Sequence, residues 1–380
     1  NIENLIDVVP HVSAHALQRF ITHMSWAWEP VITALQVFYG ERLASPEGIF
    51  VLDDTGFGKQ GSHSVGVARQ YSGTLGKVGN CQIGVFLTYV SPRGFALVDA
   101  RLYLPHVWTN DPARCAAAGV PESARGYQSK TDIGLALIRA ARHRGALPGR
   151  WVTFDAAYGE VPSFRDELDA EGLWYVGEMP CTTSFFLAPA QTHVPEWSGR
   201  GRKPSKAQLD EDSLGPRALS EIVSRVPAAQ WQRCTVAEGE QGPRTYEYWA
   251  CRGWESRDGI PGRASWLIAR RNPDGSELKY YLSNASANTP LQQMAWVGAM
   301  RWCAETSYEQ AKTEGGLDEY EVRTWPGWYR HITLVLLVMA FLLLLTQEWK
   351  KKGVGLDAAG GALGRPDGLA HAGVDALTNY

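Results

Sequence analysis

Two short apolar runs, each ending in aspartate, constrain the fold of this chain most strongly. The first is Phe50–Leu52, followed by Asp53 and Asp54. The second is Trp151–Phe154, followed by Asp155. Short continuous apolar runs of this kind are typical of strands buried on both faces of a sheet. We therefore expect an α/β core in which each of two buried strands carries a carboxylate at its C-terminal end.

A third acidic position lies on a predicted helix far along the chain. Arg301, Glu305 and Lys312 are spaced so that they share one helix face over about three turns. A solvated face with ion pairs one turn apart would give the same spacing. However, Trp302 and Tyr308 flank the charged positions and a strongly apolar helix follows, which favours a helix packed on the core.

Two strand carboxylates and one helix carboxylate form a typical oxygen-ligand cage for hard divalent cations. Two such cations about 4 Å apart stabilise both the attacking and the leaving oxygen of a phosphoryl displacement. A single aspartate at a strand end more often only begins a turn. Because successive side chains of a strand point to opposite faces, only one of Asp53 and Asp54 can face a shared site.

Four longer motifs identify the family that this chain resembles. They are Asp53–Thr74, Asn80–Phe86, Asp155–Gly159 and Gly316–Arg323. Together they resemble the conserved blocks of bacterial insertion-sequence transposases of the DDE superfamily, and the likeness extends from about residue 1 to residue 349. The resemblance implies an RNase H-like core, a mixed sheet flanked by helices, interrupted by a β-rich insertion before the catalytic glutamate.

The resemblance also implies the roles of individual residues. Asp53, Asp155 and Glu305 would be the catalytic ligands of two Mg²⁺ (or Mn²⁺) ions. Relatives commonly read Asp-Glu-Thr-Gly in the first block, which assigns the ligand to Asp53 rather than to Asp54. Arg301 and Lys312 match the basic positions of the family's Tyr/Arg/Glu/Lys signature and would contact DNA.

This chain departs from that signature at one position. Gly298 stands where the tyrosine is expected, three residues before Arg301. One contact to the DNA end that the family would make is therefore in doubt.

The implied activity is cleavage of DNA at transposon ends and joining of the freed 3′-hydroxyl to target DNA. The implied partners are double-stranded DNA, as terminal inverted repeats and as target, and a second copy of the chain in a homodimer on DNA. We expect a bacterial cytoplasmic protein associated with the nucleoid and not with a membrane. The apolar segment Ile332–Leu345 is shorter than the roughly 20 residues that a bilayer requires and is predicted to be a buried core helix.

Changes in composition and in the spacing of apolar residues along the chain predict five regions. They are an N-terminal helical DNA-binding region (1–45), the first part of the core (46–179), the β-rich insertion (180–290), the C-terminal core helices (291–349) and a disordered tail (350–380). Within them the pattern predicts three strands over 48–105 with a hairpin at Ser91–Gly94, helices at Lys130–Arg144 and 161–172, and strands at Trp174–Glu178, 245–250, 265–269 and 279–283.

The insertion carries candidate DNA contacts of two kinds. Arg200, Arg202 and Lys203 form a basic loop that Gly and Pro keep extended, although such clusters are often only solvated. Trp249 and Trp266 are candidates for stacking on distorted or flipped bases, which contributes about 1–3 kcal/mol per base. Most of the fifteen tryptophans are expected to be core residues.

The composition of the chain limits which other kinds of site and function are possible. The six cysteines include no C-x-x-C pair, which argues against a zinc site and for reduced thiols. The net charge of −3 does not favour DNA binding, although whole-chain charge does not describe a surface. Two other functions remain open: a catalytically silent transposase-derived DNA-binding protein, and a glycoside hydrolase with paired carboxylates and tryptophan sugar platforms. The second leaves the Arg301/Glu305/Lys312 helix unexplained.

Overall fold

The protein folds as two units, and the first of them is built from two separate stretches of the chain. The structure is a computed structural model, and it describes residues 13–73, 76–239 and 242–351. The first unit takes the described residues up to Arg150 and those from Met300 onward. The second unit takes Trp151–Ala299.

The strands range in length from two residues to sixteen. In chain order they are β1 (Ile49–Gly58), β2 (Ala68–Ser72), β3 (Lys77–Ser91), β4 (Gly94–Leu102), β5 (Trp151–Phe154), β6 (Trp174–Met179), β7 (Ser184–Phe186), β8 (Thr192–His193), β9 (Gln208–Leu209), β10 (Arg217–Ala218), β11 (Gln232–Gly239), β12 (Gly242–Arg257), β13 (Ile260–Arg271) and β14 (Lys279–Ser283).

The helices are also numbered in chain order. They are α1 (Ala14–Thr22), α2 (Glu29–Leu43), α3 (His106–Thr109), α4 (Pro112–Ala117), α5 (Lys130–Arg144), α6 (Ala156–Gly159), α7 (Pro162–Ala170), α8 (Leu219–Ser224), α9 (Leu291–Ala299), α10 (Trp302–Thr313) and α11 (Trp325–Lys351). Single 3₁₀ turns lie at Glu122–Ala124 and Ala228–Gln230.

The sheet of the first unit is antiparallel and is organised by β3. Its partners are β1, β2 and β4, and the pairing with β1 runs from Ile49 opposite Val90 to Gly58 opposite Cys81. The predicted hairpin at Ser91–Gly94 joins β3 to β4 and is confirmed. The short edge strand β2 was not predicted, because its alternating polar residues carry little apolar signal.

The sheet of the second unit is mixed. β5 and β6 pair in parallel, and β14 then pairs antiparallel with β6. β13, β12 and β7 follow across the sheet, with β11 as a further partner of β12. The predicted strands of the insertion are thus present, and they continue the sheet that contains β5 rather than forming a sheet of their own. β8 and β9 form a separate two-stranded hairpin.

Local sequence fixes the ends of α5 as predicted. The Ser129 hydroxyl accepts the backbone N–H of Asp132, and the Asp132 carboxylate accepts the backbone N–H of Ser129, which is a capping box. The helix ends at Gly145, whose φ of 73° is the left-handed conformation that a C-terminal glycine supplies without strain. The predicted helix at 161–172 and strand at Trp174–Glu178 correspond to α7 and β6.

The apolar C-terminal helix differs from its prediction in length and in burial. α11 has 27 residues, so it is not too short for a bilayer. Its stretch Trp325–Trp349 is apolar and long enough to span one, and 33% of the most apolar window is buried. Trp328, Ile332 and Leu336 are buried as expected, whereas Phe341 is 57% exposed. A core helix of a water-soluble protein passes the same length and composition test, so α11 alone does not indicate a membrane.

The predicted disordered tail lies mainly outside the described residues. α11 extends to Lys351, which places the first two residues of the predicted tail in a helix, while residues 352–380 are not described. The predicted N-terminal region is helical where it is described, as α1 and α2. Its residues 1–12 lie outside the described part of the chain.

Candidate functional site

The aspartate pair of the first unit lies within β1 and not at its end. Residues 53–58 continue the antiparallel ladder, with Asp53 opposite Phe86 and Gly58 opposite Cys81. The prediction that the strand ends at the carboxylates is therefore wrong for β1. The side chains of Asp53 and Asp54 are 14% and 17% exposed, so both reach solvent from a mostly buried strand.

Asp53 and Glu305 face the same cation. The Oδ2 atom of Asp53 lies 3.8 Å from Nη2 of Arg301, and the Oε1 atom of Glu305 lies 3.9 Å from that same nitrogen. The two carboxylate oxygens are therefore no further apart than the sum of these distances. A strand and a helix that are remote in sequence thus bring two acidic groups together around one positive charge.

Asp54 has a different partner. Its two carboxylate oxygens accept hydrogen bonds from Nζ of Lys130 at 3.1 and 3.0 Å. Lys130 is the first residue of α5, directly after the capping Ser129. The sequence pattern predicts this lysine only as the start of a helix, and no local pattern indicates its strand partner. The two neighbouring aspartates therefore bind different cations, as the alternation of strand side chains requires.

Lys312 reaches the same strand as Asp53. Its Nζ lies 3.4 Å from Oγ1 of Thr55, two residues after Asp53 and on the same face of β1 by strand alternation. Arg301 and Lys312 thus approach β1 on either side of Glu305. The sequence-predicted charged face of this helix is the face that packs toward β1.

The helix that carries Glu305 is shorter than its charged pattern suggested. Arg301 is the N-cap of α10, and a turn at Met300 and Arg301 separates α10 from α9. Gly298, at the expected tyrosine position, lies in α9. A Cβ atom there would approach Cγ1 of Val176 to 3.0 Å, so any larger side chain requires a shift of its neighbours. A side chain as large as tyrosine therefore fits at this position only if its neighbours move.

Asp155 belongs to the second unit and lies at the end of β5, as predicted. All four residues of β5 are buried, and Asp155 then caps α6. Its Oδ1 accepts the backbone N–H groups of Ala157 at 3.0 Å and of Tyr158 at 3.3 Å. Asp155 therefore forms a turn, as aspartates at strand ends often do. The same hydrogen bonds fix the rotation of its carboxylate.

The residues of the first unit fit a divalent cation by their chemistry. Asp53 and Glu305 supply carboxylate oxygens, the donors that Mg²⁺ and Mn²⁺ prefer, and their convergence on the Arg301 guanidinium marks a place that favours positive charge. In neither unit do the described residues gather three His, Cys, Asp or Glu side chains close enough to hold a metal ion. Asp53 and Glu305 could hold a metal from the first unit, and Asp155 could do so from the second.

The basic loop of the insertion is exposed. Arg200, Arg202 and Lys203 lie in the connection between β8 and β9 and are all exposed. The two-stranded hairpin holds the ends of this loop together. The loop therefore presents three cations to solvent.

The two tryptophan candidates do not form one surface. Trp249 lies opposite Ala269, while Trp266 lies opposite Arg252, so the alternation of paired strands puts their rings on opposite faces of the sheet. Both are half-buried, and their indole N–H groups donate to Gln230 and Ser286 respectively. They cannot stack together on one distorted DNA end.

Comparison with known proteins identifies the family. The model of the DDE superfamily endonuclease family matches residues 2–243, which is more than half of the chain. A protein of Microchaete diplosiphon, described as a probable transposase for insertion sequence element IS701, is 23% identical over 323 residues, which are 82% of this chain and 69% of that protein.

A solved structure adds no support of its own. The NurA nuclease from Sulfolobus solfataricus aligns over 93% of this chain and 95% of that chain at 8% identity, but the TM-score of 0.28 carries no argument about fold. The family match and the transposase relative confirm the resemblance predicted from the motifs, and they do not favour a glycoside hydrolase. The chain belongs to the DDE superfamily of endonucleases, the family to which its motifs had assigned it as an insertion-sequence transposase.

Proposed function

We propose that this protein is a DNA transposase that cuts at transposon ends and joins the freed 3′-hydroxyl to target DNA. The observation that carries the proposal is the convergence of Asp53 and Glu305 on Arg301. The Asp53 side chain is mostly buried and the Glu305 side chain is largely exposed, and a cation beside them favours the ionised form of both carboxylates. Membership of the DDE endonuclease family implies that the substrate is DNA.

Asp53, Asp155 and Glu305 are the proposed ligands of two Mg²⁺ or Mn²⁺ ions. Such ions, when bound, lower the pKa of a water nucleophile and stabilise the leaving 3′-oxygen. The pairing of Asp54 with Lys130 supports the choice of Asp53, because it leaves Asp53 as the carboxylate that faces Glu305. The RNase H-like character of the core is part of the same proposal.

Arg301 and Lys312 position the DNA backbone. In the free protein, Arg301 neutralises the two carboxylates beside it. Once metal ions neutralise these carboxylates instead, the long Arg301 side chain can turn to a phosphate next to the scissile bond. Lys312, beside Thr55 on the same face of β1, provides a second phosphate contact.

The insertion and a second copy of the chain complete the complex. The exposed loop carrying Arg200, Arg202 and Lys203 tracks the phosphates of the transposon end, and Trp249 or Trp266 stacks on a base that leaves the duplex. Cleavage of two transposon ends together calls for a homodimer on DNA. The N-terminal helices α1 and α2 contribute to end binding, and the protein works on the bacterial nucleoid in the cytoplasm.

The experiment that tests this function is a cleavage and joining assay. DNA fragments that end in the element's terminal inverted repeats are incubated with the full chain and Mg²⁺, and the products are resolved on sequencing gels. Cuts at the repeat ends that leave 3′-hydroxyls, followed by joining to a plasmid, support the proposal. Specific binding without cuts would indicate a silent DNA-binding protein, and hydrolysis of glycans without metal would indicate a glycoside hydrolase.

A further inference from the structure

A short turn in the second unit holds Asp155. The turn is α6, which Asp155 caps at its start, and the backbone N–H of Gly159 donates to the Asp155 carbonyl at 2.8 Å. Gly159 is packed so tightly on β6 that a Cβ atom there would overlap the carbonyl oxygen of Glu178. The orientation of the Asp155 carboxylate therefore depends on how this four-residue turn is held.

A buried arginine holds the far end of that turn. Nη1 of Arg165, on α7, donates to the carbonyl oxygen of Gly159, and the Arg165 side chain is only 4% exposed. Its Nη2 donates to Oε2 of Glu255 at 2.9 Å, and the Glu255 side chain is 1% exposed. One guanidinium thus bridges the end of α6 and a carboxylate of β12.

Glu255 is fixed from several sides. Oε1 accepts the hydroxyls of Tyr175 at 2.9 Å and of Ser265 at 3.0 Å, and Oε2 also lies 2.8 Å from Nη2 of Arg257. Burial raises the pKa of Glu255, but the guanidiniums of Arg165 and Arg257 outweigh that effect and hold the pKa below its usual value. The carboxylate is therefore ionised at neutral pH and is bonded by four neighbouring side chains.

A buried ion pair is weak evidence for stability alone. Apolar residues of similar volume often replace such pairs at no loss of stability, because they avoid the desolvation of two charges. What an apolar pair cannot do is bond simultaneously to a backbone carbonyl and to an anchored carboxylate. The geometry therefore suggests a role in holding the turn.

We propose that Arg165 and Glu255 are positioning residues, a brace through which a strand of the insertion fixes the turn that carries Asp155. The idea that the brace orients a metal-binding carboxylate rests on the proposed function. The restraint of residues 155–160 by these two side chains does not depend on it. Neither residue contacts DNA or metal in this account.

The test uses the full chain with Arg165→Lys as the decisive variant. Lysine keeps the positive charge beside Glu255, but its single nitrogen cannot reproduce the forked pair of bonds from two guanidinium nitrogens. The double variant Arg165→Met with Glu255→Met removes the brace without leaving a buried unpaired charge. Arg263→Gln is the matched control, because Arg263 belongs to the same charged cluster but pairs with Asp166 and Asp169 rather than with the turn.

Hydrogen exchange followed by mass spectrometry reports on the turn directly. We expect at least about tenfold faster exchange of the peptide covering 155–160 in Arg165→Lys and in the double variant, with β12 and β13 still protected and Arg263→Gln unchanged. A role limited to charge neutralisation predicts wild-type exchange in Arg165→Lys. Wild-type exchange of residues 155–160 in either folded brace variant would overturn the proposal. If the double variant does not fold, Arg165→Lys decides alone.

Binding of Mn²⁺ alone, followed by electron paramagnetic resonance, tests the purpose of the brace. Removal of a partner that orients a metal ligand typically weakens metal binding by about tenfold or more, and we expect this in Arg165→Lys but not in Arg263→Gln. Faster exchange of the turn with unchanged Mn²⁺ affinity would leave the brace standing and count against Asp155 as a ligand. Unchanged exchange in a protein that cleaves transposon ends would reject the brace and leave the proposed function intact.

Discussion

The Oδ2 atom of Asp53 lies 3.8 Å from Nη2 of Arg301, and Glu305 approaches that nitrogen from the next helical turn. The arginine thus occupies a place between two carboxylates where a divalent cation is also favoured. This relationship links the helix α10 to the strand β1 by charge as well as by packing.

Replacing Arg301 by alanine should affect metal binding and cleavage in opposite directions. Two unit charges about 4 Å apart repel each other by about 1 kcal/mol in water and Mn²⁺ carries two such charges, so Mn²⁺ binding to the DNA-free protein should tighten by about thirtyfold. Cleavage of transposon ends should fall by about a hundredfold, because a positioned cation beside the scissile phosphate is lost. Mn²⁺ titration and single-turnover cleavage measure the two effects, and Arg301→Lys is the control. Weaker Mn²⁺ binding with normal cleavage would contradict the assigned position of Arg301.

Replacing Lys312 by alanine should weaken binding to transposon ends and reduce the salt slope of binding by about 1, because one phosphate contact is lost. Lys312→Arg should keep the slope. Fluorescence anisotropy at several salt concentrations gives these values. If Lys312 only orients its helix through Thr55, the alanine variant will show unchanged affinity, salt slope and cleavage rate.

The basic loop between β8 and β9 should contribute to DNA binding without contributing to the fold. Replacing Arg200, Arg202 and Lys203 together by serine removes three exposed cations, so the salt slope should fall by up to about 3 while the melting temperature stays constant. Replacing Glu211 and Asp212 by serine changes charge near the same hairpin and should not lower affinity. Loss of the dimer with intact end binding would instead make this loop an assembly element.

The stability of the first unit should depend on His331 in mild acid. Loss of water around the imidazole lowers the pKa of His331 to about 4, below its ordinary value of 6.5; Lys59 lowers it further, while backbone groups of Leu317 and Gly316 and the charge of Asp318 oppose the shift. Between these two pH values the unfolded chain binds the proton and the folded chain does not. Stability therefore falls as the pH drops from 6.5 to 4, by about 3 kcal/mol in total.

Urea unfolding at pH 7 and at pH 5 measures this contribution. His331→Gln should be less sensitive to the same pH change, because glutamine does not titrate. An equal loss of stability in the variant and the wild type would show that other groups cause the acid sensitivity. His331 lies within α11, which begins at Trp325.

Periodicity was sufficient to predict the parts of the site that are local. The two-residue period of a strand separates Asp53 from Asp54, and the helical period places Arg301 and Glu305 on one side of their helix. The end of β1 was predicted wrongly because the apolar run stops at Leu52 and the aspartates that follow resemble the start of a turn. The strand continues through Gly56, which permits close packing, since a Cβ atom there would overlap the side chain of Ser72.

Ion pairs between residues far apart in the chain could not be predicted from the sequence. Lys130 pairs with Asp54, and Arg165 with Glu255, although each pair is separated by several intervening elements. No local spacing specifies such a contact, because the partners meet only after the sheets have formed. The length of α11 was missed for a different reason: only the continuous apolar run Ile332–Leu345 was predicted as a helix, whereas the residues on either side of that run also belong to it. Pro326 lies in the first turn of the helix, where proline is tolerated.

Metal rescue of cysteine variants in the end-cleavage assay tests whether Asp53, Asp155 and Glu305 bind the catalytic metal ions. A thiolate is a poor ligand for Mg²⁺ but accepts softer cations such as Mn²⁺. Asp53→Cys and Asp155→Cys should lose cleavage in Mg²⁺ and recover part of it in Mn²⁺, while Asp54→Cys should keep most of its Mg²⁺ activity and Glu305→Gln should remain inactive in both. Rescue of Asp54→Cys but not of Asp53→Cys, or full Mg²⁺ activity in Asp155→Cys, would contradict the proposed metal-binding set.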